Sequence, residues 1–253
     1  MNASRFPIRS HQILAAAILI AHATLFSASV CRGQTNSHAA ASSDLVSVQE
    51  LKMASRGRAA FDKGSKMLEK GDAAHSIAYL EQAIAQYPEH YMAYYDLGVA
   101  HLRLAHQAEA EQAFQKAIDL TKGNFAAPQF GLGAILCQKA AFSQAEMLLQ
   151  RALELEPGSA PGKFYLAFAQ FGLHRLIEAE RNVEQALLRN ANLSQAYFLL
   201  ARIHIRQRNL PAAFRDLESY LKLEPHQEQV RSLAEQIQSE MQQSTGIIAA
   251  TRP

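Results

Sequence analysis

Hydrophobic residues recur at helical spacing in pairs of segments between residues 57 and 227. In the second segment of each pair, a small residue is followed four residues later by a large apolar one, and the stripe then continues at helical spacing. The small residues are Ser76, Ala110, Ala145, Ala179 and Ala213, and the large residues are Leu80, Phe114, Leu149, Val183 and Leu217. Because these positions share one helix face, the pattern predicts an amphipathic helix in each second segment.

The first segment of each pair contains a doublet of adjacent residues of which the second is small. The doublets are Lys63 with Gly64, Leu97 with Gly98, Leu132 with Gly133, Leu166 with Ala167, and Leu200 with Ala201. A small residue at this point allows a second helix to approach closely. Short polar connections such as residues 70–72 and 208–211 separate the two segments, and Pro88, Pro157 and Pro225 end three of the units. Each unit is therefore predicted to be a helical hairpin.

The units begin at Gly57, Tyr91, Ala126, Ala160 and Ser194, so the period is 34 or 35 residues. This period, the doublet, the central small residue, the large apolar residue after it and the terminal proline resemble the tetratricopeptide repeat family. The resemblance covers residues 57–227 and implies an all-α fold, a right-handed superhelix or α-solenoid of five hairpins at 57–90, 91–125, 126–159, 160–193 and 194–227. Lys63 departs from the family's leucine, and Lys122 and Ala191 stand where the terminal proline would be, but none of them breaks the period.

The segments on either side of the repeats have patterns of their own. Residues 228–243 predict a capping helix, which a repeat array needs because its last unit otherwise exposes an apolar side. The apolar face of that helix consists of Val230, Leu233, Ala234, Ile237 and Met241. Residues 244–253 are expected to be a disordered tail. The polar, Ala- and Ser-rich start of residues 34–56 predicts a flexible leader with a short helix near its end.

The first 33 residues have the shape of a signal peptide. Arg5 and Arg9 precede an apolar run at residues 13–20, and small residues follow. The run is too short for a stable membrane span, so removal of the segment and export, most simply to the periplasm, are expected. A lesser alternative is a lipid anchor on Cys31, although Val30 stands where a lipoprotein signal has a small residue.

Composition and motifs narrow the classes of function. The chain has 25 Lys and Arg against 23 Asp and Glu, and three of the arginines lie in the signal segment. The mature chain is therefore nearly neutral, which disfavours a nucleic-acid partner. The sequence holds no phosphate-binding loop, nucleophile elbow or metal-binding motif, so neither an enzyme nor a cofactor or metal site is expected. Cys137 is expected to fill core space, and His101 and His106 are expected on different helix faces.

The resemblance implies a concave groove lined by the first helix of every unit. The fifth residue of each unit is aromatic: Phe61, Tyr95, Phe130, Phe164 and Phe198. Two interpretations of this column stay open. The rings either form apolar pockets that anchor a bound peptide or pack between helices.

Two further groups of residues complete the candidate groove. Phe168 and Phe171 make its middle apolar, and Arg58, Arg103, Arg202 and Arg206 lie on first helices, where they could hold a carboxylate of a partner. The sequence therefore predicts an exported scaffold that binds a peptide segment or a partner protein in this groove. The alternative is an architectural, self-associating subunit of a cell-envelope complex.

Overall fold

A computed structural model of the chain describes residues 55–250. The predicted signal peptide, almost all of the leader and the last three residues lie outside this range. The described residues form eleven α-helices and no strand, which confirms the predicted all-α fold. The helices are α1 (Ser55–Glu69), α2 (Ala73–Gln86), α3 (Tyr91–Arg103), α4 (Gln107–Leu120), α5 (Ala126–Gln138), α6 (Phe142–Leu155), α7 (Ala160–Gly172), α8 (Leu176–Arg189), α9 (Ser194–Arg206), α10 (Leu210–Leu223) and α11 (Glu228–Ala250).

The described helices belong to two compact units, each considered by itself. The N-terminal unit contains α1 to α7, and the C-terminal unit contains α8 to α11. Within them, consecutive helices pack as hairpins: α1 with α2, α3 with α4, α5 with α6, and α9 with α10. Helices α3, α5, α7 and α9 begin at Tyr91, Ala126, Ala160 and Ser194, the first residues of the sequence units.

The core of the N-terminal unit depends on large side chains that lie against glycines. Phe114 of α4 is fully buried, and its ring lies between the first helices of two successive repeats. A Cβ atom added to Gly98 of α3 would lie 2.6 Å from the ring, and one added to Gly131 of α5 would lie equally close. Leu149 of α6 lies in the same way against Gly133. Each of these large apolar side chains therefore fits only because the glycine that it faces has no side chain.

The hairpin turns share one backbone conformation. In the second hairpin Ala105 has a φ of 60°, and in the third Ala140 has a φ of 56°. In both, the next residue donates a backbone hydrogen bond to the carbonyl five residues earlier, from His106 to His101 at 2.9 Å and from Ala141 to Leu136 at 2.9 Å. This is the Schellman arrangement, which satisfies carbonyl groups at a helix end. The turns fix where α4 and α6 begin.

The C-terminal unit packs α10 between α9 and α11. Leu217 and Tyr220 of α10 belong to one apolar cluster with Phe198 of α9 and with Val230 and Ile237 of α11. The apolar stripe expected for the capping helix is buried here, apart from Met241, which is partly buried. Helix α11 therefore covers the apolar side of the last repeat.

Helix α11 is longer than the sequence analysis predicted. Residues 244–250 continue it, so the expected disorder from Ser244 onward is wrong for this segment. The physical reason is that the segment contains a single glycine and no proline, so no strong terminator follows residue 243. Extending an existing helix costs far less than starting a new one.

His204 links three helices of the C-terminal unit. Its Nδ1 lies 2.6 Å from Oδ2 of Asp216 on α10, and its Nε2 lies 3.1 Å from Oε1 of Glu180 on α8. Gln207 donates a further hydrogen bond of 2.7 Å to Glu180. The hydrogen bond to Asp216 raises the pKa of His204 above its ordinary value; burial opposes this, and the charges of both carboxylates add to it. A protonated imidazole donates from both nitrogens, so the charged form fits this position best.

The contact between Gly98 and Phe114 predicts a large effect of a side chain at this glycine. We expect Gly98→Val to lower the free energy of unfolding by about 1–3 kcal/mol, because the buried ring has no space to move aside. Urea denaturation followed by circular dichroism measures the loss. Gly158→Val is the matched control, since an added Cβ there meets no atom within 4 Å, and its effect should stay within about 0.5 kcal/mol. Equal stability of the two variants would contradict the packing argument.

The His204 contacts predict a pH-dependent contribution to stability. A group whose pKa is raised by folding stabilises the fold fully below its unfolded pKa of 6.5, and the contribution is lost as the pH rises through the folded pKa. His204→Gln should therefore cost about 1.5–3 kcal/mol at a pH of about 6 and progressively less above 6.5. Denaturation curves of both proteins across this range test the prediction, with His226→Gln at an exposed position as control. A pH-independent difference would show that the imidazole is neutral in the fold.

Candidate partner-binding surface

The aromatic column of the first helices is mostly buried. Phe130 and Phe164 are 2% and 1% exposed, and Tyr95 and Phe198 are also buried. Phe130 lies against the next repeat, where a Cβ added to Gly162 would come within 2.5 Å of its ring. These four rings therefore pack between helices and do not form pockets for a bound peptide, since they offer little exposed surface. Polar replacement of Phe130 or Phe164 would disturb the core and is therefore unsuitable as a test of binding.

Phe61 differs from the rest of the column. It is half-buried, and its ring meets the imidazole of His90 edge-on, with the ring centroids 4.5 Å apart. Of the two aromatic residues predicted for the middle of the groove, Phe171 is buried. Phe168 is half-buried, and its ring centroid lies 6.3 Å from that of Phe142. Phe61 and Phe168 are thus the aromatic candidates that keep accessible area.

A polar cluster lies between α1 and α3 of the N-terminal unit. The hydroxyl of Ser65 donates a hydrogen bond to the carboxylate of Asp96. Burial raises the pKa of Asp96 to about 6; the hydrogen bond from Ser65 opposes this rise, Glu69 adds to it, and the positive charge of Arg103 opposes it. Sequence analysis missed Asp96, because one acidic residue on a first helix has no distinguishing spacing.

The arginines of the N-terminal unit have different surroundings. Arg58 is exposed. Arg103 is half-buried, and its Nη1 donates a hydrogen bond to the carbonyl oxygen of Leu68. The Nε of Arg103 is buried, without a hydrogen-bond partner in the part of the chain that the structure describes. Through its Nη1, Arg103 thus joins the first two repeats.

The C-terminal unit concentrates positive charge on α9. Arg202 is 9% exposed, and Arg206 lies one helical turn further on. Burial lowers the pKa of Arg202 to about 10, and the positive charge of Arg206 acts in the same direction. Arg206 also donates to Nδ1 of His174 at 2.9 Å. Two like charges four residues apart destabilise a helix by themselves, so an anion near them would be stabilised.

The structure overturns one expectation about histidines. His101 and His106 do not lie on different faces of one helix, because α3 ends at Arg103 and His106 is the residue that precedes α4. The turn at Ala105 folds the chain back, and the Nδ1 atoms of the two imidazoles lie 3.4 Å apart. Helical spacing cannot reveal such a pair, because the two residues belong to different helices.

Cys137 shows no sign of reactivity. It is buried among apolar residues of α5, α6 and α7, and its thiol lies 3.6 Å from the carbonyl oxygen of Tyr165. Burial raises the pKa of this thiol to about 12. Since a thiolate is the nucleophilic form of cysteine, Cys137 acts as a core residue, as the sequence predicts.

Two further properties concern only residues 55–250. In this range, no group of three or more His, Cys, Asp or Glu residues could hold a metal ion. None of the described helices combines the length and the apolar character that crossing a membrane requires.

Comparison with solved structures finds repeat proteins of the same fold. Residues 41 to the end of MamA from Desulfovibrio magneticus RS-1 are 19% identical, with a TM-score of 0.58 over 69% of this chain and 98% of that one. PilW, a widely conserved type IV pilus biogenesis factor, is 16% identical, with a TM-score of 0.65 over 74% of this chain and 87% of its own. YrrB, a repeat protein with an unusual peptide-binding site, is 17% identical, with a TM-score of 0.54 over 68% of this chain and 89% of its own.

Comparison by sequence identifies the family. No curated protein matches the chain. A family model for the tetratricopeptide repeat matches residues 61–125 and 166–228, which together form just over half of the chain. Those residues contain most of the doublets and apolar stripes that predict the hairpins. The chain therefore belongs to the tetratricopeptide repeat family.

Proposed function

We propose that this protein is an exported scaffold without catalysis that binds a partner protein through an acidic segment or a C-terminal carboxylate. The observation behind this proposal is the pair Arg202 and Arg206 on α9. Tetratricopeptide repeat proteins bind protein or peptide partners, and first helices are the elements that line their groove. The proposed binding surface is the half-buried Arg206 with the exposed His174, and Arg202, which is 9% exposed, adds its charge from one turn earlier on α9.

The electrostatics of the C-terminal unit support an anionic ligand. The carboxylates of Glu180 and Asp216 both contact His204, and Glu180 also accepts a hydrogen bond from Gln207. Burial and the positive charge of Arg206 both disfavour the protonated form of Arg202, whose pKa they lower to about 10. A partner carboxylate would reverse this balance, and guanidinium groups bind carboxylates with two parallel hydrogen bonds.

The N-terminal unit, considered by itself, offers apolar contacts to a partner. Phe61 and Phe168 are half-buried and retain accessible area there. Apolar side chains of a bound segment can lie against such rings. YrrB, a repeat protein of the same fold with an unusual peptide-binding site, provides a precedent.

Export is part of the proposal and depends on the N-terminal residues. Arg5, Arg9 and the apolar run at 13–20 form the pattern of a signal peptide. PilW, a pilus biogenesis factor of the same fold, suggests a cell-envelope setting. Sequencing the mature N-terminus from the source cell tests this part separately. An uncleaved chain would exclude export by a removed signal, and a cut before Cys31 with an acyl mass would establish the lipid anchor.

A second candidate function is self-association within an envelope complex. Two large apolar residues of α8, Ile177 and Leu188, are 71% and 85% exposed and lie three helical turns apart on one face. Such residues can meet the same residues of another copy across a two-fold axis. Light scattering at micromolar concentration separates the two functions: a monomer that Leu188→Lys leaves unchanged excludes this candidate.

The arginine pair predicts a selective loss of binding. We expect Arg202→Gln with Arg206→Gln to weaken partner capture about 100-fold, because two charge-assisted hydrogen bonds contribute about 1.5 kcal/mol each. The measurement is a crosslinking capture from the envelope fraction of the source cell, with residues 34–253 as bait. Arg181→Gln with Arg215→Gln is the matched control, since it makes the same charge change at exposed positions of α8 and α10.

Two outcomes would reject the proposal. If all three baits recover the same proteins, the arginine pair is not a binding surface. If each bait recovers only itself, self-association becomes the favoured function. Circular dichroism of the two double variants must match that of the parent, so that loss of capture is not loss of fold.

A further inference from the structure

The turn between α3 and α4 brings two imidazoles together at the surface. His101 is in the last turn of α3, and His106 is the N-cap residue of α4 and makes no side-chain capping hydrogen bond. The two Nδ1 atoms face each other at 3.4 Å, and the ring centroids are 5.7 Å apart. Neither ring is thus occupied with capping the helix that His106 precedes.

The separation of the nitrogens fits a shared ion better than a direct hydrogen bond. Nitrogen donors normally lie about 2.7–3.2 Å from their acceptors, so 3.4 Å is long for such a bond. Two imidazole nitrogens that each bind Zn²⁺ at about 2.0–2.1 Å with tetrahedral geometry lie about 3.3–3.4 Å apart. The observed distance is within this range before any adjustment of the rings.

The charges around the pair also suit a cation. The carboxylates of Glu109 and Glu81 both act on His101. Their negative charge favours a cation at this point, and imidazole nitrogens are common metal ligands.

The backbone holds the two residues in place. Ala105 between them has a φ of 60°, and the amide of His106 donates to the carbonyl of His101 at 2.9 Å. Gln107, the first residue of α4, hydrogen-bonds to Gln138 of the next hairpin at 2.9 Å. Because these two hydrogen bonds fix the backbone of the turn, only the side-chain torsions of the histidines need adjustment when an ion binds.

We propose that His101 and His106 bind a divalent transition-metal ion of the class that imidazole prefers, such as Cu²⁺ or Zn²⁺, through their Nδ1 atoms. Water fills the remaining coordination positions, which distinguishes this site from a closed structural zinc site of four protein ligands. An ion that joins the end of α3 to the start of α4 would stabilise the second hairpin. This site is independent of the proposed partner-binding surface.

Isothermal titration of the tag-free, metal-free chain with Cu²⁺, Zn²⁺ and Mg²⁺ tests the site. We expect one saturable site, with Cu²⁺ bound more tightly than Zn²⁺ and no binding of Mg²⁺, which prefers oxygen ligands. His106→Gln removes one of the two ligands at an exposed position and should raise the Kd for Zn²⁺ tenfold or more. Lowering the pH should weaken binding, because protons compete for the same nitrogens.

A control variant separates this pair from the other histidines of the chain. His75→Gln changes an exposed histidine that pairs with Asp72 in the first hairpin, and it should leave the Kd unchanged. Zn²⁺ should also raise the thermal midpoint of the parent and of His75→Gln but not that of His106→Gln. The proposal is overturned if Zn²⁺ and Cu²⁺ show no saturable binding, or if His106→Gln binds them as tightly as the parent does.

Discussion

The close approach of paired helices is the constraint on which the rest of this structure depends. In the N-terminal unit it is met by a large side chain that faces a residue without one, as where Phe114 lies against both Gly98 and Gly131. One ring thereby sets the spacing within a hairpin and the stacking of that hairpin on the next. Burial of a phenylalanine contributes about 1.5–3 kcal/mol, and the contribution depends on tight contact. The small residue of each doublet thus provides the space that a large side chain of the apolar stripe fills.

This constraint explains why the fold could be predicted from the sequence. The stripe and the doublet recur with one period, so each hairpin confirms the assignment of the others, and Leu149 with Gly133 repeats the arrangement of Phe114 with Gly98. The end of α11 is harder to predict, because the sequence around residue 244 contains no clear signal for the end of a helix. Ser244, Thr245 and Gly246 are poor helix formers, but no strong terminator accompanies them.

The candidate site was less predictable for a different reason. Periodicity assigns a residue to a helix face but not to the neighbour that covers that face, so Phe130 could equally have been a pocket or a core residue. The contact between His101 and His106 depends on the left-handed conformation of Ala105, a residue type that gives no sequence signal for it. The Arg202 and Arg206 pair could be placed on a first helix. The burial of Arg202 and the contacts of His204 with Glu180 and Asp216 depend on tertiary packing, which periodicity does not reveal.

One contact between neighbouring repeats shows that a residue can change the local charge without changing the fold. The glutamates Glu146 and Glu180 occupy the same position in successive repeats, and each contacts the equivalent residue of the repeat that follows. Glu146 accepts from Gln170 at 3.4 Å within the N-terminal unit, and Glu180 lies 3.1 Å from His204 within the C-terminal unit. The apolar stripe already holds the hairpins, so this position can change from an amide to an imidazole without loss of the fold. The exchange alters the charge at this position, since His204, whose pKa is raised by its contacts, can carry a positive charge whereas the amide of Gln170 cannot. A side chain that helps to hold the C-terminal unit together therefore also sets the local charge where α8, α9 and α10 meet.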